Sequence, residues 1–597
     1  MKKILSLVLA LALLLGTTLP ALADAVTELP RNETLYFGGQ QWGKVTSWNP
    51  IGTNQNNAMA VAASAQGSRT LMFETLFMYN ILDGKLTGLL AEDEYVWNEN
   101  MTELSVKIKD AAMWSDKTPV TSEDVKKTFD IGVQIENGTG TGYGSYISEI
   151  RVVDEKNLVI VAQTTKDGKA VNPLMLLDFV AGTFIAQKAW IEKVEARCKN
   201  NTEILNDKAE DAVWSGPYTR MYDDEQKVVL VRDDNYWGQD ASMWGKLPVP
   251  KYIAHTIYAD NSASETAFKA GQIDVNQQFL PNVQDLWLKD GLPVSTYMDE
   301  APYGICLVLP TAFYNMNNET LKNYPVLRKA IAMAVDYDTI IANAMTNQSP
   351  SFRDVPRSLM NPTDAEQSMF DHEAVKDLQW AGNDIEGANK LLDEAGILDT
   401  DHDGFRELDG KKLSFNTCCP NGWTDWMAAM EVVAAAGKKI GVEITTNFPE
   451  WTVYQTVFTN PNQTEYDIFM WNGGSSSPSQ PWGRVRQMMD KELVGKENNW
   501  TGNYGQYVND EATEIIHKIP QTTDEKELKA LYTRAVEIYL TEVPSFTLMY
   551  RPAAFHLVNE SVWTNYPEAE DGRNIPPLDC TDGYGIAALY DLELVNP

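Results

Sequence analysis

The sequence predicts an α/β protein built in more than one lobe. Two observations point there. Amphipathic helical stretches alternate with short apolar strands through the second half of the chain. About 570 residues follow an N-terminal leader, more than one compact core usually holds.

The leader comes first. Lys2 and Lys3 precede ILSLVLALALLLG and then Ala21-Leu22-Ala23, the pattern of a secretory signal peptide over residues 1–23, with cleavage expected after Ala23 or Ala25. The apolar run is too short for a permanent span. No cysteine stands nearby, so no bacterial lipid anchor is expected. ETLYFGG then alternates like a strand and ends in a Gly-Gly break. QQWGKVTSWNPIGTNQNN has no period and carries Trp42 and Trp48 among amide side chains. LMFETLFMYNIL has a helical period and predicts a helix over 71–82. TELSVKIKD (102–110) reads as a strand. Thr121 is the expected N-cap of the next helix, with Asp124 in its first turn and Val125, Phe129 and Val133 on one face. GTGTGYG (138–144) lacks the Lys-Ser/Thr of a phosphate loop and reads as a connection. LVIVAQTT (158–165) and KVVLVRDDNYW (227–237) are further strands.

In the second half, VLRKAIAMAVDYDTIIANAM predicts a helix over 326–345 and GANKLLDEAGI another over 387–397, ending at Gly396. KKLSFNTCCP (411–420) is a strand, and 427–451 reads helix, turn, strand. YDIFMW (466–471) is a short buried strand that delivers the loop MWNGGSSSPSQPW. In α/β sheets, ligands gather beyond the carboxyl ends of strands, and this loop occupies such a position.

Composition excludes several functions. The net charge of -34 disfavours nucleic acid and anionic membranes as partners. Five cysteines are too few for a disulfide scaffold, and the adjacent Cys418 and Cys419 read as buried strand residues. No histidine lies in HExxH or zinc spacing, and no GxSxG surrounds Ser475–Ser477. Asp399, Asp401 and Asp403, followed by Gly404, have the start of a calcium loop. Its twelfth position is Gly410 rather than Glu, so an acidic turn is expected, with a structural calcium ion as the weaker alternative. No other cofactor is implied. Paired carboxylates for a secreted glycosidase remain open, because no local motif singles out a pair.

FETLFMYN, MWSDKTPVTSEDVKKTFD, WSGPYTRMY, DDNYWG, YPVLRKAIAMAVDYDTI, ANKLLDEAGILDTDHDGFRELDGKKLSF and KKIGVEI occur in this order. Together they resemble the large extracytoplasmic solute-binding proteins of ABC importers, oligopeptide/dipeptide-binding class (family 5). The resemblance spans nearly the whole mature chain, with Lys117-Thr118 in place of the family's usual Gly-Lys. It implies a bilobal periplasmic-binding-protein-like fold. Lobe 1 with an inserted subdomain would occupy 26–300, lobe 2 would occupy 301–543, and 544–597 would return to lobe 1. It also implies a monomer that captures its ligand by lobe closure, delivers it to an ABC permease and performs no chemistry on it. The implied location is periplasmic or at the cell surface.

Two stretches bear on the ligand. LYFGGQQWGKVTSWNPI resembles the start of the subgroup that binds β-linked oligosaccharides such as cellobiose or manno-oligosaccharides. In the family's oligopeptide binders, the segment matching the MWNGG loop carries an Asp that pairs with the peptide's ammonium group. Here Gly474 stands at that place, and no acid occurs from Trp471 to Trp482. A neutral sugar instead needs indole faces and amide donors. Trp42, Trp471 and Trp482 with Gln40, Gln41 and Asn472 form that expected set, and Trp423 and Trp426 stand behind them. An oligosaccharide is therefore the expected ligand, with an oligopeptide as the alternative.

Overall fold

Period-two alternation organises the first half of the chain. In Glu103–Ile108, Leu104, Val106 and Ile108 are buried while Ser105 and Lys107 face solvent. The computed structural model describes residues 29–38, 43–52, 70–135, 142–473, 477–497, 499–552, 557–578 and 583–596.

Thr34–Gly38 (β1) opens the first large sheet. A hairpin of Phe77–Asn80 (β2) and Lys85–Gly88 (β3) leads into a separate antiparallel sheet. Its strands are Ala91–Trp97 (β4), Glu103–Ile108 (β5), Ile147–Val152 (β6) and Asn157–Ala162 (β7), in the order β4-β5-β7-β6. The chain rejoins the first sheet through Tyr218–Asp223 (β8), Lys227–Arg232 (β9), Tyr252–Thr256 (β10), Val275–Asn276 (β11) and Val294–Thr296 (β12). Cys306–Val308 (β13) then crosses to the second lobe. That lobe is built on Pro310–Tyr314 (β14), Ser414–Cys418 (β17), Glu443–Asn447 (β18), Ile468–Asn472 (β19) and Ser545–Thr547 (β20), ordered β18-β17-β19-β14-β20. A small hairpin, Glu407–Leu408 (β15) with Lys411–Lys412 (β16), projects before β17. Arg551–Pro552 (β21) crosses back, antiparallel to β13, and Leu557–Asn559 (β22) completes the first sheet as β12-β22-β11-β1-β10-β9-β8. The protein is bilobal, with two adjacent crossing strands. Because β20 still belongs to the second sheet, the return lies beyond the expected residue 543.

Helices pack on these sheets. Ser122–Ile135 (α1) starts with a reciprocal cap: Thr121 Oγ1 accepts from the Asp124 N–H at 3.3 Å, and Asp124 Oδ2 accepts from the Thr121 N–H at 2.8 Å. Pro173–Gly182 (α2) and Asn261–Lys269 (α3) belong to lobe 1. Lobe 2 carries Pro325–Ala334 (α4), Ile385–Glu394 (α5), Thr424–Lys439 (α6), Trp451–Thr459 (α7) and Trp482–Met489 (α8). After α5, Gly396 takes φ +74°, the left-handed turn its position was expected to need. Cys418 and Cys419 are both fully buried.

Two expected helices are corrected. The 71–82 stretch forms turns and then β2, not a helix. Residues 71–78 are buried throughout, and a run buried on every side has no period by which helix and strand can be told apart. The 326–345 helix is broken. α4 stops at Ala334, Val335 is extended, and the Asp336 carboxylate accepts the Thr339 N–H to cap a second helical stretch that begins at Tyr337. An Asp inside an apolar helical period thus acts as a new start signal. Among the described residues no helix is long and apolar enough to cross a membrane.

Candidate functional site

β17 runs parallel to both β18 and β19, so the carboxyl ends of these three strands lie side by side. Each end supplies a tryptophan. Trp423 follows β17 and precedes α6, Trp451 follows β18 and starts α7, and Trp471 is the penultimate residue of β19. The three rings are nearly parallel. Centroids lie 5.5 Å apart for Trp423 and Trp451, 5.7 Å for Trp451 and Trp471, and 6.3 Å for Trp423 and Trp471, with interplanar angles of 18–26°. All three are half-buried.

Helical spacing extends this wall. Tyr454 and Phe458 follow Trp451 at i+3 and i+7 on one face of α7, and Phe458 stacks on Trp471 at 4.2 Å and 15°. Trp500 meets Trp471 edge-on at 6.4 Å and stays exposed. The loop after β19 lies tight against the sheet. A Cβ at Gly473 would come within 2.8 Å of the Leu309 carbonyl oxygen, so only glycine fits there without a shift.

Polar groups border the rings. Asn472 Oδ1, Trp426 Nε1 and Asp425 Oδ2 are buried without a hydrogen-bond partner. Burial raises the Asp425 carboxyl above the usual range, and the Arg551 guanidinium at 3.6 Å opposes that rise. Arg551 lies on β21, so this ion pair ties the wall to the crossing strands. From lobe 1, Asn261 at the start of α3 donates its side-chain amide to Thr424 Oγ1 at 3.3 Å. The wall therefore faces the helix that follows β10, at the cleft between the lobes.

The structure brings Trp423, Trp426, Trp471 and Asn472 into one region. Trp426 is 1% exposed and stands edge-on behind Trp423, 4.7 Å away. Trp482 is a correction. It is 4% exposed and donates its indole N–H to the Ile516 carbonyl at 2.8 Å, so α8 turns it into the lobe 2 core rather than toward a ligand. Gln40, Gln41, Trp42 and Gly474 lie outside the described residues. Sequence reasoning missed Trp451, Phe458 and Asp425. The strand-end rule that found Trp471 also applies to Trp451 in NFPEW, directly after β18.

Asp399, Asp401 and Asp403 do cluster, and Glu407 joins them with one carboxylate oxygen from each within 4.8 Å of the others. Turn bonds already engage the group: Asp399 accepts from the Gly404 N–H, Asp401 from the Asp403 N–H, and Glu407 from Thr400. Of the serines in the loop after β19, Ser475 and Ser476 lie outside the described residues, and Ser477 and Ser479 are engaged with each other and with Asp178. Ser477 Oγ lies 3.2 Å from Ser479 Oγ, and Ser479 donates both its N–H and its hydroxyl to Asp178.

The sequence profile of the Bacterial extracellular solute-binding proteins, family 5 Middle, matches residues 85–492. The chain belongs to this family. It is a substrate-binding protein of the kind that serves ABC importers, and its relatives are solute-binding proteins rather than enzymes. The oligopeptide-binding protein AppA of Bacillus subtilis is 23% identical over 75% of each chain. The probable peptide-binding protein YejA of Agrobacterium fabrum is 27% identical, but over only 40% of its length. Among solved structures, a periplasmic oligopeptide-binding protein of Thermotoga maritima with mannohexaose bound superposes with TM-score 0.82 at 26% identity, covering 96% of this chain and all of that one. AppA in complex with a nonapeptide has TM-score 0.71 at 17% identity, covering 94% and 99%.

Proposed function

We propose that this family 5 protein captures a short linear oligomer between its lobes and presents it to an ABC permease, as a periplasmic or extracellular monomer. Two ligand classes compete. The site geometry favours an oligosaccharide, and the observation that carries this reading is the set of three half-buried, nearly parallel tryptophans at adjacent strand ends. Sugar rings show apolar C–H faces that stack on indoles, and their hydroxyls suit an acceptor such as Asn472 Oδ1. The mannohexaose-bound relative supports it, with both a higher identity and a higher TM-score than the nonapeptide complex.

The oligopeptide reading has the broader backing among relatives, because most of the curated ones carry peptide-binding names. It also has a site observation of its own, since the Asp425 carboxylate lies beside the wall even though the loop after Trp471 carries none. Its pairing with Arg551 weighs against its serving an ammonium group.

Titration by intrinsic tryptophan fluorescence decides between them. Saturable change with mannobiose, cellobiose or mannohexaose, and no reducing sugar released over hours, supports the oligosaccharide reading. Saturation by mixed tri- to pentapeptides with no response to the sugars replaces it with the oligopeptide reading. Release of monosaccharide would sink both.

A further inference from the structure

Lobe 1 touches lobe 2 at a second place, away from the aromatic rings. Helix α2 (Pro173–Gly182) lays Leu174 and Met175 on the lobe 2 core. One turn further on, Asp178 reaches the loop that leaves β19. Its Oδ1 accepts the Ser479 N–H at 3.0 Å, and its Oδ2 accepts the Ser479 hydroxyl, which lies 3.2 Å from Ser477 Oγ. Asp178 is 4% exposed, and Ser477 and Ser479 are equally buried. We propose that Asp178 and the Ser477–Ser479 turn form an acid-tightened latch that holds the two lobes closed.

The reason is an unpaired carboxylate buried by closure. Among the described residues, the elements that pack most closely on α2 offer no counter-ion. β2 carries only Tyr79 as a titratable group, and the helical turn Tyr143–Tyr146 carries only its two tyrosines. β7, the turn Ile519–Gln521 and residues 477–481 carry none, and Asp178 is the single charged residue of α2. Two direct hydrogen bonds, with Ser477 behind them, are too few to replace the water lost around a full negative charge. Burial accordingly pushes the Asp178 carboxyl up from 3.8 to about 6, against the opposing bonds from Ser479 and Ser477. On this proposal, opening the lobes returns Asp178 to water, so closing takes up a proton. The closed state gains as pH falls through about 6 and loses that gain as pH rises above it. The latch also sits shortly after β19, which carries Trp471, so the segment lining the cleft and the segment that fastens it are close in sequence.

The test reads closure directly and needs no ligand. Dyes at Val153→Cys in lobe 1 and Val508→Cys in lobe 2, both 61% exposed, report the closed-to-open ratio by single-molecule energy transfer. Cys198 and Cys580 are replaced by serine, and the remaining three thiols are buried. From pH 7 to pH 5 the ratio should rise about tenfold, the uptake of one proton with the two carboxyl values given above. Asp178→Asn keeps an acceptor for the Ser479 N–H but cannot titrate, so its ratio should not change with pH. Ser479→Ala should lower the ratio at every pH in a protein with unchanged circular dichroism. A pH-independent wild type, an Asp178→Asn variant with the wild-type pH response, or a Ser479→Ala variant with the wild-type ratio would each overturn the latch. The proposal rests on capture by lobe closure. A single energy-transfer state at every pH, and with every oligomer that binds, would remove closure itself, whereas two states whose ratio ignores pH would remove only the latch.

Discussion

Two sets of tryptophans, one in each lobe, play opposite parts. In lobe 1, Trp114, Trp190 and Trp237 are at most 9% exposed, and each indole N–H is held by a carboxylate of the same lobe: Asp124 at 3.3 Å, Asp211 at 3.3 Å and Glu74 at 2.9 Å. In lobe 2, Trp423, Trp451 and Trp471 lie against one another and keep part of each ring at the surface. The first arrangement fixes a core, because a buried donor without an acceptor is costly. The second leaves aromatic area for a partner that the chain does not supply. Sequence windows such as MWSD and DDNYWG are as rich in tryptophan as MWNGG, so tryptophan content alone does not mark a ligand wall.

This contrast is open to direct attack. The largest effect is expected from Trp114→Ala. Emptying a fully buried indole site should cost about 3–5 kcal/mol of stability in urea denaturation, with ligand affinity unchanged in the folded fraction. A change in affinity instead would place a ligand contact in lobe 1. Glu74 comes next. It is buried beneath Tyr236 and Trp237, and burial raises its carboxyl to about 8 against the hydrogen bonds from those two residues. A raised carboxyl stabilises the fold at low pH and loses that contribution as pH climbs toward 8. Wild-type stability should therefore fall by on the order of 2 kcal/mol between pH 6 and pH 8, and Glu74→Gln should flatten the decline. Melting curves at stepped pH would show it.

Trp471→Ala should weaken ligand binding by about 1–3 kcal/mol, read by calorimetry with whichever oligomer saturates the fluorescence. Unchanged affinity with a lowered Tm would reassign Trp471 to the core, beside Trp482. The smallest effect is expected at the acidic turn. Asp401→Ala removes an exposed carboxylate engaged within its own turn, and it should shift stability by less than about 0.5 kcal/mol, with or without a chelator. A chelator-sensitive Tm that the variant abolishes would turn the cluster of Asp399, Asp401, Asp403 and Glu407 into a cation site.

Much of the fold could be read from the chain. The cap at Thr121, the left-handed Gly396 and the alternation of Glu103–Ile108 are local, since each depends on a few neighbouring residues and a fixed period. The stretch at 71–82 fits a helical period yet forms turns and β2, because a run apolar at nearly every position fits helix and strand alike. The 326–345 helix was misread because Asp336 competes for a backbone donor that helix propensity alone would leave to the helix.

For the site, sequence singled out Trp471, Trp423 and Asn472 through the strand-end rule and through side-chain chemistry. It also determined the family, because landmarks in a fixed order survive without any knowledge of contacts. Only the tertiary structure decided which tryptophans share a wall, because the strand order β18-β17-β19 sets ends beside one another that the chain keeps some 20 to 50 residues apart. The same holds for Asp178 and Ser479, separated by 301 positions. Their contact comes from lobe packing, a long-range property that no local period encodes.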